Sequence, residues 1–517
     1  MTHGRTTQND IAQVLNEKNT VASAFGVEQE VPFYGTRNAS GTFVPWTLDK
    51  GAPRKMVLVT SGHESLKWQI VRNGYDSTDW VTAESGVYLK GGKLYKDVQC
   101  LEICTPECRD PYELAFRIEE LRNAFRHAPD VQNLKFRIFI NSMDREGAGS
   151  FHENYFQPYE YSHHEAQIFA EELVPALVSR CVLTGAGGAD LSDRLCLSPR
   201  IFSMEKVFSS TSQRDRGYVL DREEHHVDFG RRLQLMSSDQ LLAPETVALQ
   251  FGLTAFAVRL GELGFLPETK INWFAKSYRL IYQDIGATNE MFVAAVSYQR
   301  ELLERARMYD NACKEKGLPR LLASDDATMR LFDTWERKLQ LLSAYIDDHD
   351  LEAIADEFEW AQKYRFIEKR RARKNQPMDV KLSSAEVWAC MELTAFVPSF
   401  PAFAQCQEPF LDFDYEDRGF SIPRAQARVT FIDAFHKQAE EGKIPGTPFA
   451  DWRGVRLFHG KCTESVTLPR LDSHPVDEIL SLVDTFPNQH THRGFCEPSK
   501  NHRVGSGPVV SRSTLRR

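Results

Sequence analysis

Apolar and polar positions alternate in two stretches near the N-terminus. Phe25-Gly-Val-Glu-Gln-Glu30 alternates along its length. Gly91-Gly-Lys-Leu-Tyr-Lys-Asp-Val-Gln-Cys-Leu-Glu-Ile-Cys-Thr-Pro-Glu-Cys108 opens on a glycine pair suited to a turn and then alternates through Leu94, Tyr95, Lys96 and Asp97. The pattern predicts strands, in which residues two apart share a face. Glu28 and Glu30 then point the same way, about 7 Å apart, and so do Tyr95 and Asp97. The second stretch also carries Glu102 and Glu107, and a tyrosine with three carboxylates beside one strand end suggests a site for cations or for an amine, or else a solvated strand edge. Further strands are predicted over 136–140, 231–236 and 455–458, with 31–90 rich in loops.

Helical periodicity begins after Asp110, where Asp at the cap, Pro111 in the first turn and Glu113 start a helix continued by Leu114, Ile118, Leu121 and Phe125. A second helix is predicted over 165–178. From 241 to 375 the pattern is mostly helical, with amphipathic stretches at 291–308, 327–346 and 351–373. Lys369-Arg-Arg-Ala-Arg-Lys374 closes the last, either a basic patch or positive charge placed to suit the helix dipole. Phe396-Val-Pro-Ser-Phe-Pro401 interrupts the pattern and suggests a boundary. Helices follow near 424–441 and 475–485.

The chain has 517 residues, too many for one simple core. Its net charge of −9 argues against nucleic-acid binding by bulk positive charge. No apolar run approaches the roughly 18 residues of a membrane span, and the first 25 residues lack the apolar segment of a secretion signal. The expected location is cytoplasmic. Ten cysteines are too sparse for a disulfide scaffold. Cys100, Cys104 and Cys108 lack the spacing of common zinc or iron–sulfur sites, so buried, inert thiols are expected.

Glu28 and Glu30 read either as an exposed strand edge or as part of a divalent-metal site. His152-Glu153-Asn154-Tyr155 follows a glycine turn, where ligand-facing groups tend to sit. Thr184-Gly-Ala-Gly-Gly188 is too short for a dinucleotide fingerprint and is read as a place where backbone passes close to a neighbour. Arg214, Arg216 and Asp221-Arg-Glu-Glu-His-His226 suit phosphate and metal handling, or a surface ion-pair network.

These motifs together resemble the family of the Pup ligase and its sister depupylase/deamidase, within the glutamine synthetase and carboxylate–amine ligase superfamily. The G-[IV]-E-x-E strand of that family matches Gly26-Val-Glu-Gln-Glu30, and its N-G-x-R-L-Y-x-D and P-E-Y-x-x-P-E-C elements match 91–97 and 101–108. C-H-E-N-Y matches 151–155, and V-S-R…T-G-A-G matches 178–180 and 184–187. N-T-R-D-E-P-H-A-D and R-R-L-H resemble 220–228 and 231–234. The D-W-V-x-K-x-x-L-[IL]-E helix resembles 359–368, and residues 422–484 resemble the small C-terminal domain. The departures include Cys100, Leu101, Ile103, His225 in place of a proline, and Gln234 in place of a histidine.

The resemblance implies an α+β fold: a curved, mainly antiparallel glutamine synthetase-like sheet backed by helices, with a small C-terminal α/β domain. The catalytic domain would span 1–400, with a flexible start at 1–20. The small domain would span 401–487, with a disordered basic tail at 488–517. It further implies an ATP- and magnesium-dependent ligase that phosphorylates a glutamate side chain at the C-terminus of a Pup-like modifier and joins it to an amine. That amine would be a lysine of a target protein, or the substrates would be a small amine and glutamate, with no nucleic acid or membrane involved. The alternatives are a depupylase/deamidase-type hydrolase on the same nucleotide site and, more remotely, a non-catalytic nucleotide-binding homologue. Carried over by position, Glu28, Glu30, Glu102, His152 and His226 hold magnesium. Glu28, Tyr95, His152, Asn154 and Arg222 adjoin the nucleotide. Arg222 and Arg232 stabilise the transferred phosphoryl group, and Asp97 acts on the amine or water.

Overall fold

The computed structural model describes residues 6–17, 23–31, 33–37, 43–45, 55–59, 67–71, 87–89, 91–97, 100–127, 137–138, 140, 142, 149, 151–158, 161–190, 192–211, 216–222, 225–227, 230–276, 290–322, 324–378, 381–393, 420–440, 447–450, 454–459, 462–467 and 475–491. The expected boundary at Phe396 to Pro401 and the residues from 492 onward lie outside these. The chain divides into two compact units, Met1–Val429 with Pro469–His474, and Thr430–Leu468 with Pro475–Arg517.

The alternating N-terminal stretch is strand β1 (Phe25–Val31). The segment expected to be loop-rich carries short strands instead: β2 (Phe33–Arg37), β3 (Phe43–Pro45), β4 (Lys55–Val59), β5 (Lys67–Val71) and β6 (Val87–Leu89). The apolar run from Met56 to Val59 pairs with β5 as a two-stranded ribbon. The Tyr95 stretch forms β7 (Gly92–Asp97) and β8 (Cys100–Cys104). Then come β9 (Arg137–Ile138), β10 (Phe151–Gln157), β11 (Gly188–Ala189), β12 (Leu195–Cys196), β13 (Lys206–Ser209), β14 (Gly217–Leu220), β15 (His226–Val227) and β16 (Gly230–Leu235). The main sheet runs β13-β14-β16-β10-β1-β8-β7-β6, with β15 paired to β16. All its pairs are antiparallel except β13 with β14.

The sheet has a wet face and a dry face because its strands alternate. Phe25, Val27 and Gln29 of β1, and Phe151, Glu153, Tyr155 and Gln157 of β10, are buried on one side. They meet a largely apolar helix that is buried on nearly every side, with a buried ion pair, Arg259 with Glu262, near its end. It runs from Pro244 to Leu263, and its Phe251 ring lies about 6 Å from the rings of Phe25, Phe151 and Tyr155. Pro244 opens this helix and Gly264 ends it in the left-handed conformation, φ 78°.

Polar groups buried on the dry face are paired, as burial demands. Glu153 is fully buried and meets Arg180 at 2.7 Å, and it accepts hydrogen bonds from Tyr155 and Ser238 as well. Arg180 donates in turn to Ser238 at 2.7 Å and to Thr254. Gln29 accepts from Arg122 at 3.0 Å and donates to Gln240 at 3.1 Å.

The other helices follow the periodicity with two differences. Pro111–His127 starts as expected, the Asp110 carboxylate accepting from the Tyr112 amide at 2.8 Å. His163–Ser179 opens on a Ser162/Glu165 capping box. Glu290–Lys316 and Asp325–Asp348 cover the two amphipathic stretches. The expected 351–373 helix is broken into Leu351–Ile354 and Glu359–Ala372. There Glu359 turns inward and accepts from the amides of Leu242 and Ala243, at 3.0 and 2.8 Å. The second difference is at the basic run: Arg371 is buried against Glu386 at 2.7 Å, so the run is not a uniformly exposed patch.

The glycine run at 185–188 does bring backbones together. A Cβ on Gly187, whose φ is +67°, would lie 2.5 Å from Trp360 Cα. Lys363 donates to the Gly187 carbonyl at 3.1 Å. In the second unit, β17 (Thr447–Ala450), β18 (Gly454–His459) and β19 (Cys462–Thr467) form an antiparallel sheet with the helix Val476–Thr491 packed on it. That helix runs past the expected end near 485. No described helix is long and apolar enough to cross a membrane.

Replacing Glu153 by Gln removes the charge that offsets Arg180 in a dry interior. Such a change should cost about 3 kcal/mol or more of unfolding free energy. Urea denaturation of the variant beside the parent chain measures it, and a loss under about 0.5 kcal/mol would show that the pair does not anchor the sheet.

Candidate active site on the wet face of the sheet

Strand register decides which side chains meet. Glu28 lies across from His152 on one side and Cys104 on the other, and Glu30 lies across from Glu102. Asn154 pairs with Gln234, and Phe156 with Arg232. Cross-strand partners share a face, so Glu28, Glu30, Glu102, His152, Asn154, Arg232 and Gln234 come to one side, opposite Glu153 and Phe251.

Glu28 is the hub. Arg232 donates to its Oε1 at 2.8 Å and Gln234 to its Oε2 at 2.8 Å. His152 Nδ1 lies 3.6 Å from Glu28 Oε2 and 3.9 Å from Glu102 Oε1. One ligand-type atom from each of Glu28, Glu102 and His152 falls within 4.8 Å of the others. Burial by itself would raise the Glu28 pKa. Arg232 and then His152 more than reverse that, holding it down to about 2, so Glu28 is a carboxylate at neutral pH.

Two carboxylates and an imidazole facing one point fit a divalent cation. Oxygen donors suit magnesium, and the imidazole adds a ligand shared with softer metals. His152 is buried, and its Nε2 has no hydrogen-bond partner among the described residues. One ring nitrogen is therefore left without a described protein partner, while Nδ1 turns to the two carboxylates.

The remaining expected residues fall as follows. Asn154 is half-buried on the same face, its amide nitrogen 3.4 Å from the His152 carbonyl. Glu30 shares the face with Glu28, and Arg222 is half-buried after β14. The register sets Tyr95 across from Glu102 and Asp97 across from Cys100. It sets His226 across from Arg231, the member of the arginine pair that is fully buried and 3.6 Å from Asp221. The side chains of Tyr95, Asp97 and His226 lie outside the described residues.

Glu107 does not join the cluster. Beyond Thr105 and Pro106 the chain leaves the strand, and Glu107 pairs with Arg424 at 2.6 Å and with Arg428. Asp221 is likewise buried and bound to Arg231. Cys104 is half-buried and Cys108 fully buried, and burial pushes the Cys108 thiol up, in keeping with an inert role for that residue.

Two residues have more to do than their sequence context indicated. Gln234 stood out only as a departure from a motif, yet it holds one oxygen of Glu28. His225 is fully buried, and its ring interacts electrostatically with Arg232, Glu28, Arg222 and Arg231. Burial and then Arg232 push its pKa down to about 3, which leaves the ring neutral at pH 7. Its place at a motif proline and the His-His pair were the available signals, and the sequence does not say which ring interacts with Glu28.

A family model described as Pup-ligase protein matches residues 36–388. The chain is 27% identical over 318 residues to the Pup–protein ligase of Kineococcus radiotolerans, covering 57% of this chain and 67% of that one. It is 28% identical over 319 residues to the Pup–protein ligase of Xylanimonas cellulosilytica, with the same two coverages. Among solved structures, the complex between the prokaryotic ubiquitin-like protein Pup and its ligase PafA has a similar fold. The TM-score is 0.65 at 18% identity, over 92% of this chain and 93% of that one. PafA in complex with ADP is also similar, with a TM-score of 0.61 at 20% identity over 79% and 91%. The α+β architecture expected from the motifs is therefore the fold observed, and the match over most of the chain's length places this protein in the Pup-ligase family.

Proposed function

We infer that this chain is an ATP-dependent carboxylate–amine ligase. It phosphorylates a glutamate side-chain carboxylate at the C-terminus of a Pup-like modifier and joins it to an amine such as a protein lysine, in a cytoplasmic setting. The observation that carries the reading is the meeting of Glu28, Glu102 and His152 beside Arg232 on one face of the sheet. Family membership supplies the reaction class, and a relative of the same fold is described with ADP.

In the first half-reaction a carboxylate oxygen of the glutamate attacks the terminal phosphorus of ATP, ADP leaves, and an acyl phosphate forms. In the second, the amine nitrogen attacks the acyl carbon, inorganic phosphate leaves with its bonding pair, and the amine gives up a proton. Magnesium, when held by Glu28, Glu30, Glu102, His152 and His226, supplies charge neutralisation for the phosphates. Arg222 and Arg232 contribute fixed positive charge for the oxygens of the phosphoryl group in flight. Arg232 is held in place by Glu28, which limits the reorganisation needed during reaction. Tyr95 and Asn154 adjoin the nucleotide. Asp97 takes the proton from the amine, whose free pKa of about 10.4 requires that the site also desolvate it.

The test is mass spectrometry of reactions holding ATP, magnesium, a glutamate-terminated modifier peptide and a lysine donor. A conjugate lighter by one water than its two parts, formed together with ADP, is expected. Release of ammonia from a glutamine-terminated peptide without conjugate would instead identify the hydrolase. Neither product, with no ADP formed, would remove the enzymatic reading.

Asp97→Asn should bind nucleotide within about twofold of the parent while conjugate formation falls about 100-fold or more, the range for loss of a general base. Unchanged turnover would exclude Asp97 from proton transfer. His152→Ala should weaken manganese binding, followed by electron paramagnetic resonance of the free ion, by about tenfold or more. An unaltered manganese titration would exclude His152 as a ligand.

A further inference from the structure

Strand β16 delivers two donors to one carboxylate that lies two strands away. Arg232 and Gln234 are two apart on β16, so their side chains share the wet face. Both reach across β10 to Glu28 of β1, Arg232 Nη1 to Oε1 and Gln234 Nε2 to Oε2, each at 2.8 Å. This makes the two oxygens unlike. Oε1 is bound to a guanidinium, and a metal ion there would meet like charge. Oε2 lies 3.6 Å from His152 Nδ1, which in turn lies 3.9 Å from Glu102 Oε1, and its donor is an uncharged amide. An amide at the position where the family motif has histidine supplies this hydrogen bond without the charge that a protonated ring would set beside a cation. Gln234 is itself only 4% exposed, on a strand held from both sides by β10 and β14. The Glu28 side chain is 19% exposed, so a ligand can reach the carboxylate while the amide behind it stays enclosed.

We propose that Gln234 is a specificity-determining positioning residue: with Arg232 on the other oxygen, it makes Glu28 a one-oxygen ligand and so sets the cluster of Glu28, Glu102 and His152 for a small octahedral cation in preference to calcium. Magnesium and manganese take single oxygens at right angles and fill the remaining positions with water. Calcium takes roughly six to eight oxygens and often both from one carboxylate. Glu28, held at both ends, cannot turn both oxygens to one ion without releasing Arg232, Gln234 or both. Gln234 acts through Glu28, as groups behind metal ligands do when they fix a ligand's direction. The inference rests on the metal site in the functional reading above.

The test is a titration of the full chain with manganese, read as the free ion by electron paramagnetic resonance, with calcium as the silent competitor. The parent chain should hold manganese about tenfold or more tightly than calcium. His152 contributes to that preference too, so the decisive quantity is the change in the manganese-to-calcium ratio when Gln234 alone is altered. Gln234→Met keeps the length of the side chain and loses the donor. It should weaken manganese binding about tenfold or more, while calcium changes less than about threefold. Gln234→His keeps an N–H donor and should hold the parent's ratio within about threefold, which keeps the test decisive if thermal melting shows the methionine variant unfolded. Equal weakening of both ions in Gln234→Met, as a merely structural residue would give, overturns the proposal, and so does unchanged manganese binding. A histidine variant that folds but loses the ratio overturns it as well, as does a parent chain that holds calcium as tightly as manganese. A parent chain that binds neither ion would instead bring down the metal site on which the inference rests.

Discussion

The ion pair between Glu153 and Arg180 sits in the dry interior behind the sheet, one residue along the strand from His152. Neither partner has water to turn to, so each depends on the other and on Tyr155, Ser238 and Thr254. A buried pair of this kind adds little net stability compared with an apolar replacement, yet it is expensive to break. Its effect is geometric. It pins β10 in the one register that sends His152 and Asn154 to the opposite face, where a one-residue slip would exchange the two sets.

The wet face follows from that register. Glu28 is central in β1, flanked by β10 and β8, so it can reach groups delivered by both. Arg232 and Gln234 arrive from β16, one strand further out, and hold both Glu28 oxygens. The carboxylate is thus ionised and fixed by the protein's own groups, the state in which it could ligate a cation. Arg232 both orients Glu28 and sets a guanidinium beside the cluster of Glu28, Glu102 and His152. Metal-type ligands and anion-type donors therefore sit side by side on one sheet, the combination phosphoryl transfer calls for.

Much of this was legible from the chain. The period-two pattern at 25–30 and 91–104 marked the strands, and the structure brings two of their carboxylates, Glu28 and Glu102, together with His152. The cap at Asp110 and the long amphipathic helices were read from side-chain chemistry that acts within one or two turns. Glu107 shows the limit, because its proximity in sequence to Glu102 suggested a shared site. The strand ends between them, and Arg424, more than 300 positions away, takes Glu107 instead. The turn inward of Glu359, which breaks a helix that looked continuous, has the same origin in the distant amides of Leu242 and Ala243.

By itself the sequence determined the strand and helix types, the polar residues available to the site and the family to which their order belongs, because alternation, capping and motif spacing are local. Tertiary structure alone decided which of those residues meet. Register across β8, β1, β10 and β16 brings together Glu28, Glu102, His152, Arg232 and Gln234, drawn from positions more than 200 apart, and no local pattern encodes that alignment. It also set His225, and no other described histidine than His152, into electrostatic contact with Glu28, since facing direction in a sheet is settled by pairing with strands far away in the chain.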